Sequence, residues 1–209
     1  MNKKIFAQLL GYSQNNLDKV TQPYILETFG VEVARCDTLE QYTDAINDAS
    51  LDRYFSKYWE NDIKKWKYSG LALVDEVNSL RPRAVLDVGC GYNEFKGKID
   101  NLIGIDPYND KADIQVSTLE YRTTQKFDVM LCLGSVNFGS RDKIISEVGR
   151  CVDLLEDGGT MFFRVNPGVQ HNKPEAKWIE FFAWNVPFII ELSEIFNLKV
   201  LDIRDDSNQ

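Results

Sequence analysis

Two aspartates set 19 residues apart, each closing a short apolar run, carry the most definite chemistry in this 209-residue sequence. Ala84-Val85-Leu86 ends on Asp87, and Leu102-Ile103-Gly104-Ile105 ends on Asp106, with a turn through Gly89-Cys90-Gly91 between them. Two short strands tipped by carboxylates and joined through Gly-x-Gly form the front half of a nucleoside-binding crevice in a doubly wound sheet. A carboxylate on the first tip attracts a cationic group. On the second tip, its two oxygens can accept both hydroxyls of a ribose.

Gly-x-Gly alone suits two kinds of ligand. A dinucleotide site asks for a third small residue, G-x-G-x-x-G, so that pyrophosphate can rest on the following helix N-terminus. Counted from Gly89, that position is Glu94, and a carboxylate there repels phosphate. This disfavours a nicotinamide-dependent oxidoreductase. S-adenosylmethionine carries an ammonium and a sulfonium but no phosphate, and it suits an acid-lined crevice. The remaining reading is a bare scaffold in which Asp87 and Asp106 only cap strand ends.

The elements that would position these residues can be placed around them. Residues 1–38 are poorly patterned, and Asp37 or Thr38 then caps a helix through Leu39, Tyr42 and Ile46. An aromatic-dense stretch follows, with Tyr54/Tyr58 and Phe55/Trp59 at helix-face spacing. Leu73, Val77 and Leu80 mark an amphipathic helix that stops at Arg81-Pro82-Arg83. Beyond the first two strands, further strands are predicted at Ala112–Val116, Phe127–Leu133, Thr160–Val165 and Leu198–Ile203. Helices are predicted from Ser140 through Leu155 and from Pro187. The ten residues between Gly91 and Leu102 leave room for one or two helical turns. The pattern predicts an α/β, Rossmann-like, doubly wound and largely parallel sheet of about six strands, with an N-terminal helical lid. Residues 1–70 read as that cap rather than an independent domain, and 71–209 as the Rossmann-like domain.

The net charge of −8 sets the chain against a nucleic-acid backbone. Cys36, Cys90, Cys132 and Cys151 are scattered and there is one histidine, so no metal site is expected and reduced thiols are. No apolar run approaches transmembrane length and the N-terminal patch is too short for a secretory signal. A cytoplasmic protein is the expectation.

The motifs VLDVGCGY, IGIDP, FDVMLCLGSV and LLEDGGTMFFRVNPG, over about residues 70–203, resemble those of class I S-adenosylmethionine-dependent methyltransferases. The spacing is also similar to that of short methyltransferases encoded by tailed phages. The resemblance implies that S-adenosylmethionine binds and leaves as S-adenosylhomocysteine. It implies backbone contacts from Gly89, Cys90 and Gly91 to the methionine moiety, with Asp87 drawing its ammonium. Asp106, with Pro107 beside it, would hold the ribose. Thr118 and Leu119 would border the adenine, and Leu133, Gly134 and Ser135 the other side of the cofactor. Catalysis would be in-line attack on the sulfonium methyl, for which proximity can suffice. Asn93 stands where many relatives have another glycine, and Ser117 where they commonly place an acid for the adenine amine. The family's usual seventh strand has no counterpart.

The acceptor is expected over the carboxyl ends of the strands. His171 is a candidate base, to be weighed against a plain surface histidine. Asn137, Asn166, Trp178 and Trp184 are candidate pocket walls, the two tryptophans reading better as packing residues. Lys64–Lys67, KKWK, reads better as a solvated helix face than as an anion grip. DNA base methylation is disfavoured because no Asp/Asn-Pro-Pro-Tyr follows the fourth strand. The predicted activity is methyl transfer to a small-molecule or protein acceptor; the alternative is a non-catalytic binding or scaffold protein that retains the fold. The sequence leaves the acceptor and the oligomeric state open.

Overall fold

The computed structural model describes residues 1–16, 20–60, 70–169 and 173–204. The described residues form two compact units. The first draws on residues 1–59, 138–141 and 168–182, the second on 60–137, 142–167 and 183–204. Among the described residues, no helix is long and apolar enough to cross a membrane, and no three metal-ligating side chains gather.

Three helices make up most of the first unit: α1 (Lys3–Asn15), α2 (Gln22–Phe29) and α3 (Leu39–Lys57). Asn2 caps α1, accepting from the Lys4 and Ile5 N–H groups. Pro23 opens α2, and Gly30 closes it in the left-handed conformation. Of the two caps predicted, Asp37 and Thr38, it is Thr38 that begins α3, in a reciprocal capping box with Gln41. Ile5, Leu9, Ile25, Phe29, Tyr42 and Ile46 form the core, and Trp178 packs against it.

The second unit is a parallel four-stranded sheet, with β1 (Val85–Val88), β2 (Leu102–Ile105), β3 (Phe127–Leu133) and β4 (Leu155–Arg164) in the order β2-β1-β3-β4. Strand β1 is paired on both sides and wholly buried. Val85, Val129 and Leu131 pack with Leu73 and Val77, the latter from α4 (Val74–Ser79). Cys132 lies 3.9 Å from Cys151 of α5 (Arg141–Leu154), and all four cysteines are free thiols. Helix α6 (Val186–Ile195) starts behind an Asn185 cap with Pro187 in its first turn.

Three expectations need correction. The sheet has four strands among the described residues, not six. Ala112–Val116 supplies only one parallel bridge, Ile105 to Ile114. The reason is Asp113, whose carboxylate takes the Gly104 N–H at 2.8 Å and the Lys96 ammonium at 2.8 Å, capping the β2 edge with a side chain. Leu198–Ile203 forms no ladder: the chain leaves α6 through left-handed Asn197, and Arg204 is held by two 3.0 Å bonds to Glu76. The third correction concerns the crossover from β1 to β2, which is a chain of turns with no helix. Asn93, Gly97 and Asn101 all adopt positive φ, and each interrupts a right-handed helix. Phe95 and Ile99 still reach the core.

Strand β4 also starts earlier than predicted. Leu155 pairs with Phe127, and Asp157-Gly158-Gly159 loops out before Thr160 resumes the register opposite Val129. A Cβ at Gly159 would lie 3.0 Å from the Asp128 carbonyl, so the glycine permits this approach.

Asp128 sets the start of β1. Its Oδ2 accepts from the N–H groups of Arg83 (2.6 Å) and Ala84 (3.0 Å), and its Oδ1 from the Arg83 guanidinium (2.9 Å). Asp128→Ala is expected to lower stability by about 1–2 kcal/mol, because the Ala84 N–H loses its acceptor. Urea unfolding measures this; an unchanged midpoint would remove the clasp from the account.

Candidate functional site

Asp87 ends the buried run of β1, opposite Gly104 of β2 and Leu131 of β3. It is 3% exposed. No described group donates a hydrogen bond to it, and no cation offsets its charge. Burial first, and the nearby charge of Asp106 second, push its carboxyl up to about 7. A buried acid held without a partner costs stability, and such groups gather at functional sites.

The turn after β1 is fixed from β2. The N–H groups of Gly89 and Cys90 donate to the Ile105 carbonyl at 2.8 and 3.0 Å. Gly89 takes φ +67, and a Cβ there would lie 2.3 Å from that of Ser135, so only glycine allows the loops after β1 and β3 to meet this closely. The Ser135 hydroxyl in that contact is buried and has no hydrogen-bond partner. Gly104 serves the same purpose on β2, where a Cβ would clash with Cys90 Sγ and Asn93 Oδ1. Burial first, and then the charges of Asp87, Asp106 and Asp113, raise the Cys90 thiol far above its ordinary value, which disfavours the thiolate.

Asp106 is 8% exposed and, unlike Asp87, is fully engaged. Its Oδ2 accepts the Gly91 N–H at 3.0 Å, and its Oδ1 accepts the N–H groups of Tyr108 (2.8 Å) and Asn109 (2.9 Å). A carboxylate has about four acceptor positions, so roughly one remains, on Oδ2. Asp106 therefore clamps the glycine turn to the turn through Pro107, and it can accept one further hydroxyl where the sequence suggested two.

Thr118 and Leu119 lie in a turn closed by the Glu120 and Tyr121 N–H groups on the Ser117 carbonyl. The Ser117 hydroxyl donates to the Glu120 carboxylate at 2.7 Å, so an acid stands beside the serine. Leu133, Gly134 and Ser135 end β3, with Gly134 at φ +102. Asn137 brackets β3 and β4: its Oδ1 accepts the Asn166 N–H at 2.9 Å, and its amide reaches the Arg164 carbonyl. Trp184 packs, donating its indole N–H to the Val136 carbonyl at 3.0 Å.

The structure thus brings Asp87, Gly89, Cys90, Gly91, Asp106 and Ser135 together at the carboxyl ends of the strands. Trp178 packs within the first unit, edge-on to Phe29 at 4.8 Å. His171 and Lys64–Lys67 lie outside the described residues. Sequence reasoning missed the clamp on Asp106 and the Ser117–Glu120 pair. Asp-Pro-x-Asn at 106–109 was the available signal, a turn in which an aspartate takes nearby N–H groups.

No protein-family model matches the chain, and no curated protein does. Solved structures do. One is the N-methyltransferase NodS from Bradyrhizobium japonicum WM9 in complex with S-adenosylhomocysteine, at 18% identity and a TM-score of 0.50, covering 69% of this chain and 83% of that one. Another is 1,6-didemethyltoxoflavin-N1-methyltransferase from Burkholderia thailandensis, with 1,6-didemethyltoxoflavin and S-adenosylhomocysteine bound. It is 14% identical with a TM-score of 0.54, covering 79% of this chain and 83% of that one. The likeness is one of fold: the chain has the α/β fold of class I S-adenosylmethionine-dependent methyltransferases.

The folded state keeps a proton on Asp87 that the unfolded chain gives up above its ordinary value of 3.8. Its contribution to stability is therefore lost as pH rises from about 4 to about 7 and stays lost above, by at most roughly 4 kcal/mol. Asp87→Asn is expected to be more stable than wild type at about pH 8 by about 2–4 kcal/mol, with the gap narrowing as pH falls and closing below about pH 4. Urea unfolding at both pH values checks this; a pH-independent gap would contradict it.

Proposed function

We propose that this chain is a methyltransferase that binds S-adenosylmethionine in the crevice between the ends of β1 and β2 and passes its methyl group to a small molecule. The observation that carries the reading is Asp87: a buried carboxylate with no donor and no countercharge among the described residues, beside a glycine turn that no helix follows. With neither a helix N-terminus nor a basic side chain there among the described residues, the crevice suits a cationic nucleoside and not a pyrophosphate.

The residues present fit that ligand. Asp87 would draw the ammonium, and the backbone from Gly89 to Gly91 would line the methionine moiety. Asp106 would accept a ribose hydroxyl at its remaining position on Oδ2. Thr118 and Leu119 would border the adenine, with the Ser117–Glu120 pair beside them as the acid for its amine. Leu133, Gly134 and the unpaired Ser135 hydroxyl would face the opposite side. When bound, the cofactor supplies an electrophilic methyl on a sulfonium. The chain's contribution is to hold and orient, which can provide most of the acceleration in such a displacement. That the Burkholderia structure holds 1,6-didemethyltoxoflavin supports a small-molecule acceptor here.

Calorimetry at about pH 8 is expected to show binding of S-adenosylhomocysteine and none of a nicotinamide dinucleotide. Asp106→Ala should weaken that binding by more than about 1.5 kcal/mol through loss of a charge-assisted hydrogen bond and of the clamp. No heat with micromolar wild-type protein would sink the reading. Binding without transfer of radiolabelled methyl to any acceptor pool would assign the chain to the scaffold alternative.

A further inference from the structure

Asp87 and Asp106 end neighbouring strands in opposite conditions. Asp106 accepts three backbone N–H groups at 2.8–3.0 Å. Asp87, equally removed from water, accepts none. The titratable groups that face Asp87 are Asp106 from the end of β2, the Cys90 thiol from the glycine turn and the Cys132 thiol from β3. All are acids. The residues paired with it across the ladder, Gly104 and Leu131, offer no side-chain donor. The Ser135 hydroxyl, buried against Gly89, is a second polar group in this corner without a partner among the described residues.

Two carboxylates in one desolvated corner do not both ionise unless a positive charge joins them. Asp106 already accepts three N–H groups and Asp87 accepts none from a described group, so Asp87 is the acid that carries the proton.

We propose that ligand binding in this crevice is a proton exchange: the free protein carries a proton on Asp87, and an ammonium- or sulfonium-bearing ligand displaces it to solvent. The balance is simple. The Asp87 O–H bond breaks, the proton passes to bulk buffer, and the ligand's positive charge takes its place beside the carboxylate. The net charge of the corner is unchanged. The inference rests on the proposed function, whose cofactor is such a cation, and it adds a rule of selection. A cation recovers the cost of expelling the proton, and a neutral or anionic ligand of the same shape does not.

Burial, reinforced by Asp106, places the Asp87 carboxyl at about 7, so the exchange operates around neutrality. Above that value the carboxylate is ready. Below it, each binding event first releases a proton, so affinity for a cation rises with pH, about tenfold between pH 6 and pH 8.

The experiment is calorimetric titration of the full chain with S-adenosylmethionine, in two buffers of different ionisation enthalpy, at about pH 5.5 and about pH 7, where the ligand's own amine, which titrates at roughly 8, stays charged. The expected result is release of about one proton at the lower pH and about half a proton at the higher, with affinity more than about tenfold greater at the higher. Buffer-independent heats and a flat affinity would overturn the proton exchange while leaving the cofactor reading in place. Absence of binding at both pH values would instead overturn the cofactor reading. Carbon-13 carboxyl resonances of the ligand-free protein, with Asp87 assigned through Asp87→Asn, then decide the proton's position. A midpoint near 7 supports the protonated acid, and one near 4 refutes it.

Discussion

The clamp made by Asp106 is the interaction on which the crevice depends. Through three N–H groups it binds the glycine turn after β1 to the turn after β2, so one carboxylate fixes both walls. The same carboxylate also bears on the electrostatics. Burial raises the Asp87 carboxyl most, and the nearby charge of Asp106 in the same dry corner adds to it. Site geometry and charge preference therefore meet at Asp106. The resulting strain is of the kind that functional sites retain at the expense of stability.

The crossover between β1 and β2 reinforces this polarity. In the usual arrangement a helix begins after the glycine turn and directs its positive end at the ligand. Here three left-handed positions replace that helix with turns, and Lys96 is occupied by Asp113 and the Leu102 carbonyl, away from Asp87. The same Asp113 ends the sheet at β2. A short, helix-free crossover thus both narrows the sheet and keeps positive charge out of the crevice.

What the sequence revealed was local, and what it hid depended on distant partners. Asp87, Gly89, Gly91 and Asp106 were legible because a strand tip and a tight turn are specified by a few adjacent residues. Thr38, one of two candidate caps, was legible for the same reason. Leu198–Ile203 has the composition of a strand, but a ladder needs a neighbouring backbone, and Arg204 commits this run to Glu76 instead. Helix α1 was missed because only Ile5 and Leu9 of its residues are buried, too few to show a period. Trp178 belongs to the first unit through the Asn2 amide, 176 residues away, and no window of sequence contains that bond.

A crystal structure of the full chain with S-adenosylhomocysteine tests the central claim most directly. The account predicts the amino-acid end of the ligand at Asp87, the ribose hydrogen-bonded to Asp106 Oδ2, and the Ser135 hydroxyl newly satisfied. A ligand bound elsewhere, or one in the crevice that leaves the Asp87 carboxylate without a positive partner, would contradict it.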